Sequence, residues 1–156
     1  KILRIRRVDL GDRGRAGIGR FPAVEGERYP SLVSAVDADG NERGGIRLPD
    51  LTVPVSTLTG WNPRAPEIGS EDLIIPMQGI TLFFRRTRAE REAAGDPRPS
   101  LEERYPDRDT FLARVREEAE ALANQRYVLD EDIDAIVANA AERYDEGRRG
   151  EPIMPR

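Results

Sequence analysis

The sequence predicts an α+β fold: an irregular N-terminal part with short strands and loops, followed by a short helix and a C-terminal α-helical hairpin. Most of the 12 prolines and 14 glycines fall in the first hundred residues, where they interrupt the chain too often for long helices. Beyond that stretch, helix-capping spacings and two amphipathic runs take over. The length of 156 residues, with 38% hydrophobic content, suits one modest core.

Short strands and turns are expected in the N-terminal part. Residues 2–10 alternate apolar and charged side chains, as a half-buried strand does, before a glycine-rich stretch ends the pattern. A second strand over 32–36 stops at residues 37–41, which are rich in turn-forming types. Residues 51–58 are β-branched but contain a proline, which predicts an edge strand. The apolar run 73–84 has irregular spacing and is expected to pack beneath neighbouring structure.

Helix starts are recognisable from local hydrogen-bonding spacings. Thr87 with Glu90, and Ser100 with Glu103, have the spacing of a reciprocal capping box. Gly95 stands where the first of these short helices would end. The sequence therefore predicts two short helices before the longer ones.

Two amphipathic runs predict the helical hairpin. In residues 108–125, which Asp107 or Asp109 can cap, one face carries Phe111, Leu112, Val115, Ala119, Leu122 and Ala123. A second helix is predicted to open at Asp130, and its apolar stripe comprises Ile133, Ile136, Val137, Ala140, Ala141 and Tyr144. We therefore divide the chain into a strand- and loop-rich segment 1–86, a helical segment 87–147 and a poorly ordered tail 148–156, which together form one region.

Charge is distributed unevenly along the chain. Residues 1–20 hold seven Lys/Arg and two Asp, whereas residues 107–147 hold twelve Asp/Glu and five Arg. The N-terminal arginines alternate with apolar residues, which indicates the solvated face of a strand, so no nucleic-acid partner is expected. The acidic hairpin instead indicates a protein partner, and one interpretation is a free-standing interaction module that docks a basic protein.

Composition also limits the chemistry. Without histidine, no Ser-His-acid triad can form within these residues, and none of the five serines has the flanking glycines of a nucleophile elbow. Lys1 is the only lysine and there is no cysteine, so serine-lysine and cysteine chemistry are also excluded. No catalytic residue and no cofactor are predicted. No apolar run approaches the length of a membrane span, and the compartment, cytoplasmic or periplasmic, stays open.

Two clusters are candidates for binding. Asp37, Asp39 and Asn41 offer oxygen ligands for a hard cation, but their spacing departs from a calcium loop and a plain turn is the simpler interpretation. Trp61 and Asn62, with Arg64 nearby, combine an aromatic platform with an amide and a guanidinium. Such a group can contact a substrate or another domain. The simpler interpretation is a core tryptophan that pins a loop.

Several ordered motifs resemble one family. The sequence is similar, over roughly residues 17–145, to the C-terminal region of the large bacterial alpha/beta hydrolase domain proteins. The motifs that carry the resemblance are AVDADGNE at 35–42, GIRLP at 45–49, TGWN at 59–62, RTRAER at 86–91, GDPRPS at 95–100 and EERY at 102–105. The two terminal helical runs belong to the same resemblance.

The resemblance implies an esterase- or lipase-like hydrolase whose nucleophilic serine and histidine lie upstream of these residues. The present segment would then form a cap on the α/β-hydrolase core, with the catalytic domain as its partner, and would help to shape the substrate pocket. No catalytic residue can be carried over to any position of this sequence. The start at Lys1, directly in a strand-like pattern and without an initiating methionine, is expected of an excised piece or of a processed N-terminus.

Overall fold

The computed structural model describes residues 4–9, 11–22, 24–30, 33–68, 74–75 and 77–150. Contacts divide the chain into two units that do not follow chain order. The first, here the N-terminal unit, comprises Lys1–Val33 with Gly60–Gln78, and the second, the helical unit, comprises Ser34–Thr59 with Gly79–Arg156.

In the N-terminal unit, β1 (Arg4–Asp9) pairs antiparallel with β2 (Val24–Pro30). The register places Arg4 opposite Pro30 and is interrupted by an irregularity between Arg6 and Val8. The predicted strand at residues 2–10 is present as β1. The end of the predicted second strand at residues 33–36 contributes only an isolated bridge between Val36 and Glu42 in the helical unit, and residues 31–32 lie outside the described part.

The helical unit contains a second antiparallel pair, β3 (Ser56–Thr59) with β4 (Ile80–Phe83). The edge strand predicted at 51–58 therefore begins only at Ser56. Its first residues lie in helix α1 (Pro49–Thr52), because Pro49 occupies the first helical turn, where its fixed φ suits the helix and no N–H is needed. All described strand pairs are antiparallel.

The remaining helices are α2 (Arg88–Ala93), α3 (Leu101–Arg104), α4 (Arg108–Asn124) and α5 (Ile133–Arg149). Each of the first three starts at a side-chain cap. Thr87 accepts the N–H of Glu90 at 3.2 Å, and Ser100 and Glu103 form a reciprocal capping box. Asp107 rather than Asp109 caps α4, accepting the N–H of Thr110 at 2.7 Å.

Helix α5 follows a 3-10 turn at Asp130–Asp132 and continues through Gly147 to Arg149. Gly147 is buried, and a Cβ atom there would lie 3.0 Å from the ring of Phe83. This glycine therefore permits close packing inside the helix, and Gly150, at φ +71°, is the residue that ends it. Of the predicted tail, residues 151–156 lie outside the described part.

The core of the helical unit is the buried side of α4 and α5 against the residues around β3 and β4. Its aromatic centre is Phe111, whose ring lies 5.0 Å from Tyr105, edge to face, and 5.0 Å from Tyr144, stacked. The other buried members are Val53, Val55, Phe84, Leu101, Val115 and Ala140. The mixed α+β class is thereby confirmed. None of the helices in the described ranges is long and apolar enough to cross a membrane.

Candidate functional site

The turn at residues 37–41 is held from within by Asp37. One carboxylate oxygen, Oδ1, accepts the N–H groups of Asp39 at 3.0 Å and Asn41 at 2.9 Å. Gly40 adopts φ +82°, and its N–H donates to the carbonyl of Asp37 at 3.1 Å. Side chains that accept hydrogen bonds from backbone two and four residues ahead are typical of a structural turn.

The second oxygen of Asp37 is also engaged. Arg47 donates to Oδ2 at 2.6 Å and to the carbonyl of Leu51 at 2.8 Å, which joins the turn to α1. Burial acts to raise the pKa of Asp37, but the hydrogen bonds from Asn41, Arg47 and Asp39 outweigh it and the pKa is lowered. The carboxylate is therefore ionised at neutral pH and accepts hydrogen bonds from three donors of this chain.

The side chain of Asn41 makes the hydrogen bonds to β3 that the backbone of a neighbouring strand would make. This side chain is fully buried; Nδ2 donates to the carbonyl of Ser56 at 3.2 Å, and Oδ1 accepts the N–H of Leu58 at 2.6 Å. An amide side chain carries an N–H donor and a carbonyl acceptor side by side, as successive peptide groups of a strand do. Asn41 thus satisfies the edge of β3 that faces away from β4.

Arginines extend this network to the loop before α3. Arg104 donates to both carboxylate oxygens of Asp39, at 2.9 Å from Nη1 and more closely from Nη2. Thr57 donates from its hydroxyl to the Asp39 carbonyl and accepts from Arg98 at 2.7 Å. Arg98 in turn holds Asp96 through two bonds, and its hydrogen bond lowers the pKa of Asp96 to about 2 against the effect of burial.

Two of these guanidinium groups also stack on one ring. The central carbon of Arg104 lies 4.1 Å from the ring centroid of buried Phe84, and that of Arg98 lies 5.3 Å away. The neighbouring Tyr105 donates to the carbonyl of Pro54 at 2.9 Å, and burial raises its pKa to about 12. These contacts fix the arginines in place rather than leaving them free for a ligand.

An open cleft of about 610 Å³ lies beside this network in the helical unit. Its charged lining residues are Asp37, Asp39, Arg47, Arg104, Arg114, Glu117 and Glu118. Most of these are already paired with each other, and none of the groups with a shifted pKa titrates near neutral pH. The cleft can position a polar group.

Asp37, Asp39 and Asn41, the candidate metal ligands, lie in a turn where other groups of the chain already bond to them. The structure brings the three residues together, but their oxygen atoms accept bonds from arginine and backbone donors. Among the described residues, no group of three or more Asp, Glu, His or Cys side chains is placed to hold a metal.

The other predicted candidates lie in the N-terminal unit, in the loop Gly60–Ile68. Trp61, Asn62 and Arg64 are all half-buried there. The carbonyl of Asn62 accepts the N–H of Ile75 at 2.8 Å, and an isolated bridge joins Pro63 to Ile74 next to it. The Nε atom of Arg64 is buried and makes no hydrogen bond to any described residue. This loop is anchored through its backbone, and the guanidinium keeps hydrogen-bonding capacity.

Sequence reasoning missed the arginines that organise the helical unit, Arg47, Arg98 and Arg104. The available signal was their position, since each lies inside one of the motifs at 45–49, 95–100 and 102–105 that carry the family resemblance. Arg47 and Arg104 hold carboxylates distant in sequence, Asp37 and Asp39, whereas Arg98 holds Asp96 in its own motif.

Comparison with known proteins agrees with those motifs. A family model described as Alpha/beta hydrolase domain matches residues 7–138, most of the chain. The chain therefore belongs to the Alpha/beta hydrolase domain family. No curated protein and no solved structure matches it.

Proposed function

We propose that this chain is the non-catalytic C-terminal portion of an ester-hydrolysing α/β-hydrolase, in which it packs on the catalytic domain and helps to form the substrate pocket. One observation carries the proposal: the match to a hydrolase family over residues 7–138 occurs in a sequence that has no histidine. A serine hydrolase of this kind needs a base to accept the proton of its nucleophile. That base, and the serine beside it, would come from the catalytic domain.

The loop Gly60–Ile68, here the Trp61 loop, is the part of the chain that we assign to the substrate pocket. Its support is chemical: a half-buried indole, an amide and a guanidinium lie within four residues of one another, and the loop backbone is anchored at Asn62. An aromatic face with nearby polar groups is typical of small-molecule pockets. Asp37 and Asp39 of the helical unit, by contrast, are already bonded to Arg47 and Arg104.

Fluorophosphonate labelling tests the first part of the proposal. The probe reacts with activated serines, so it should label either a longer polypeptide that contains this sequence or a chain that co-purifies with it. Intact mass identifies the labelled polypeptide. Absence of label from every polypeptide in the natural preparation would contradict the hydrolase proposal.

The second part is tested on the active preparation with a panel of p-nitrophenyl esters. We expect Trp61→Ala to raise KM by at least about fivefold with a smaller change in kcat, because it removes contact area that binds substrate and transition state alike. Ile68→Ala, which truncates an exposed side chain in the same loop, serves as the matched control. Equal kinetics for the two variants would remove the Trp61 loop from the pocket.

A further inference from the structure

An apolar groove lies at the closed end of the helical hairpin. It has a volume of about 410 Å³ and is lined by Leu48 together with Tyr127, Val128, Leu129 and Ile136. Leu48 is 45% exposed, Tyr127 56% and Leu129 61%. We call this surface the hairpin groove. Three large apolar side chains exposed around one groove are typical of an interaction surface.

Backbone hydrogen bonds hold the connection between α4 and α5, which carries Tyr127 and Leu129. The N–H of Tyr127 donates to the carbonyl of Leu122 at 3.0 Å, and that of Arg126 donates to Ala123 at 2.8 Å. Arg126 adopts a left-handed conformation, φ +64°, which turns the chain sharply out of α4. Because this backbone is already satisfied, the apolar side chains are displayed on an ordered scaffold and need little rearrangement on binding.

The charge beside the groove is acidic and unpaired. Asp130, Glu131 and Asp132 follow Leu129 directly, all three are exposed, and no ion pair joins them to a described residue. Three arginines elsewhere on α4 and α5 do have carboxylate partners: Arg108 pairs with Asp145, Arg116 with Asp134 and Arg143 with Asp50.

A helix N-terminus favours acidic residues, and Asp130–Asp132 precede α5. The side chain of Asp132 nevertheless makes no capping hydrogen bond, and helix electrostatics do not explain exposed Tyr127 and Leu129. One described basic residue, Arg126, lines the groove, so negative charge predominates at this edge.

We propose that the hairpin groove binds a basic amphipathic segment of a partner protein. Its apolar side chains would fill the space between Leu48, Tyr127 and Leu129, and its Lys or Arg residues would meet Asp130–Asp132. A second copy of this chain fits less well, because it would bring two acidic edges together. The proposal concerns binding alone and goes beyond the hydrolytic role.

Selection from a displayed library of random peptides, each about 16 residues long, tests the chemistry of the occupant. The chain is immobilised, and a synthetic copy of the most enriched peptide is then measured by fluorescence anisotropy. We expect the enriched peptides to combine bulky apolar residues with Lys or Arg. Leu129→Ser and Tyr127→Ser should each weaken binding at least about tenfold. Leu82→Ser, at an exposed apolar position away from the groove, should leave it unchanged.

A pair of charge-matched triple variants isolates the electrostatic part. Asp130→Asn/Glu131→Gln/Asp132→Asn should weaken binding several-fold and reduce its dependence on NaCl between about 50 and about 500 mM. Glu117→Gln/Glu118→Gln/Glu120→Gln removes the same charge from α4 and should have little effect. Circular dichroism melting verifies that each variant is folded.

Three outcomes would overturn the proposal: enriched peptides without basic residues, equal binding by the two triple variants, or a dimer in sedimentation velocity that Leu129→Ser dissociates. The last result would identify a second copy as the occupant. None of them alters fluorophosphonate labelling, so this proposal and the hydrolase proposal fail independently.

Discussion

The turn at residues 37–41 and the loop Gly60–Ile68 both combine amide and charged side chains, yet they serve different purposes. In the turn, Asp37, Asp39 and Asn41 all bond to arginine or backbone groups of the helical unit. In the loop, the N–H of Ile75 donates to the backbone carbonyl of Asn62, and Trp61, Asn62 and Arg64 are half-buried. Clustered carboxylates therefore mark scaffold here, while the less conspicuous loop is the better candidate for binding.

Matched asparagine substitutions give the largest expected difference between these two regions. Asn41→Ala leaves the carbonyl of Ser56 and the N–H of Leu58 without their buried partner, so the free energy of unfolding should fall by about 2–5 kcal/mol. Asn62→Ala, in the loop, should cost less than about 1 kcal/mol because that side chain is only half-buried. Urea unfolding followed by far-UV circular dichroism measures both. Similar losses would remove the distinction between scaffold and loop.

Two glycines separate the effect of backbone conformation on stability from the effect of close contact with Thr57. Gly40 and Gly45 both have positive φ, +82° and +77°, but only Gly40 faces a neighbour, with Thr57 Cγ2 at 2.8 Å from an added Cβ. We expect Gly40→Ala to lower the free energy of unfolding by about 2–3 kcal/mol and Gly45→Ala by about 1 kcal/mol. The same urea titration tests this. Equal effects would mean that backbone conformation alone, and not contact with Thr57, constrains the turn.

The pH dependence of stability is the smallest of the three effects. Because the pKa of Asp37 is lowered in the folded protein from its ordinary value of 3.8, its stabilising contribution is present above that pH and is lost as the pH falls below it. The urea midpoint should therefore fall between about pH 5 and about pH 3. Asp37→Asn should show a shallower fall. A variant that keeps the full pH dependence would show that other carboxylates account for it.

Local patterns predicted the helices well. The starts at Thr87, Ser100 and Asp107 were recognisable because a cap joins residues only three apart. The end of α5 was not recognisable. A glycine near the end of a helical pattern usually marks the C-terminus, but Gly147 lies inside α5 and permits close packing against Phe83. The strand predicted over 51–58 failed at its start for a related reason: Pro49 favours a helical turn that β-propensity does not reveal.

The candidate site was predictable only as a set of residues. The sequence showed that Asp37, Asp39 and Asn41 form a turn and that Trp61, Asn62 and Arg64 share a loop. It could not show which of these side chains already had partners. That information depends on contacts between distant residues, such as Arg104 with Asp39, 65 positions apart.

By itself, then, the sequence determined the helix starts, the absence of a histidine base and the family motifs, because composition and short-range spacing are written directly in the chain. Only the tertiary structure decided that Asn41 completes β3, that Arg98 and Arg104 stack on Phe84, and that Leu48 joins Tyr127 and Leu129 in one groove. The physical reason is that side-chain hydrogen bonds and apolar contacts form between residues brought together by chain folding, and their sequence separation carries no periodic signal.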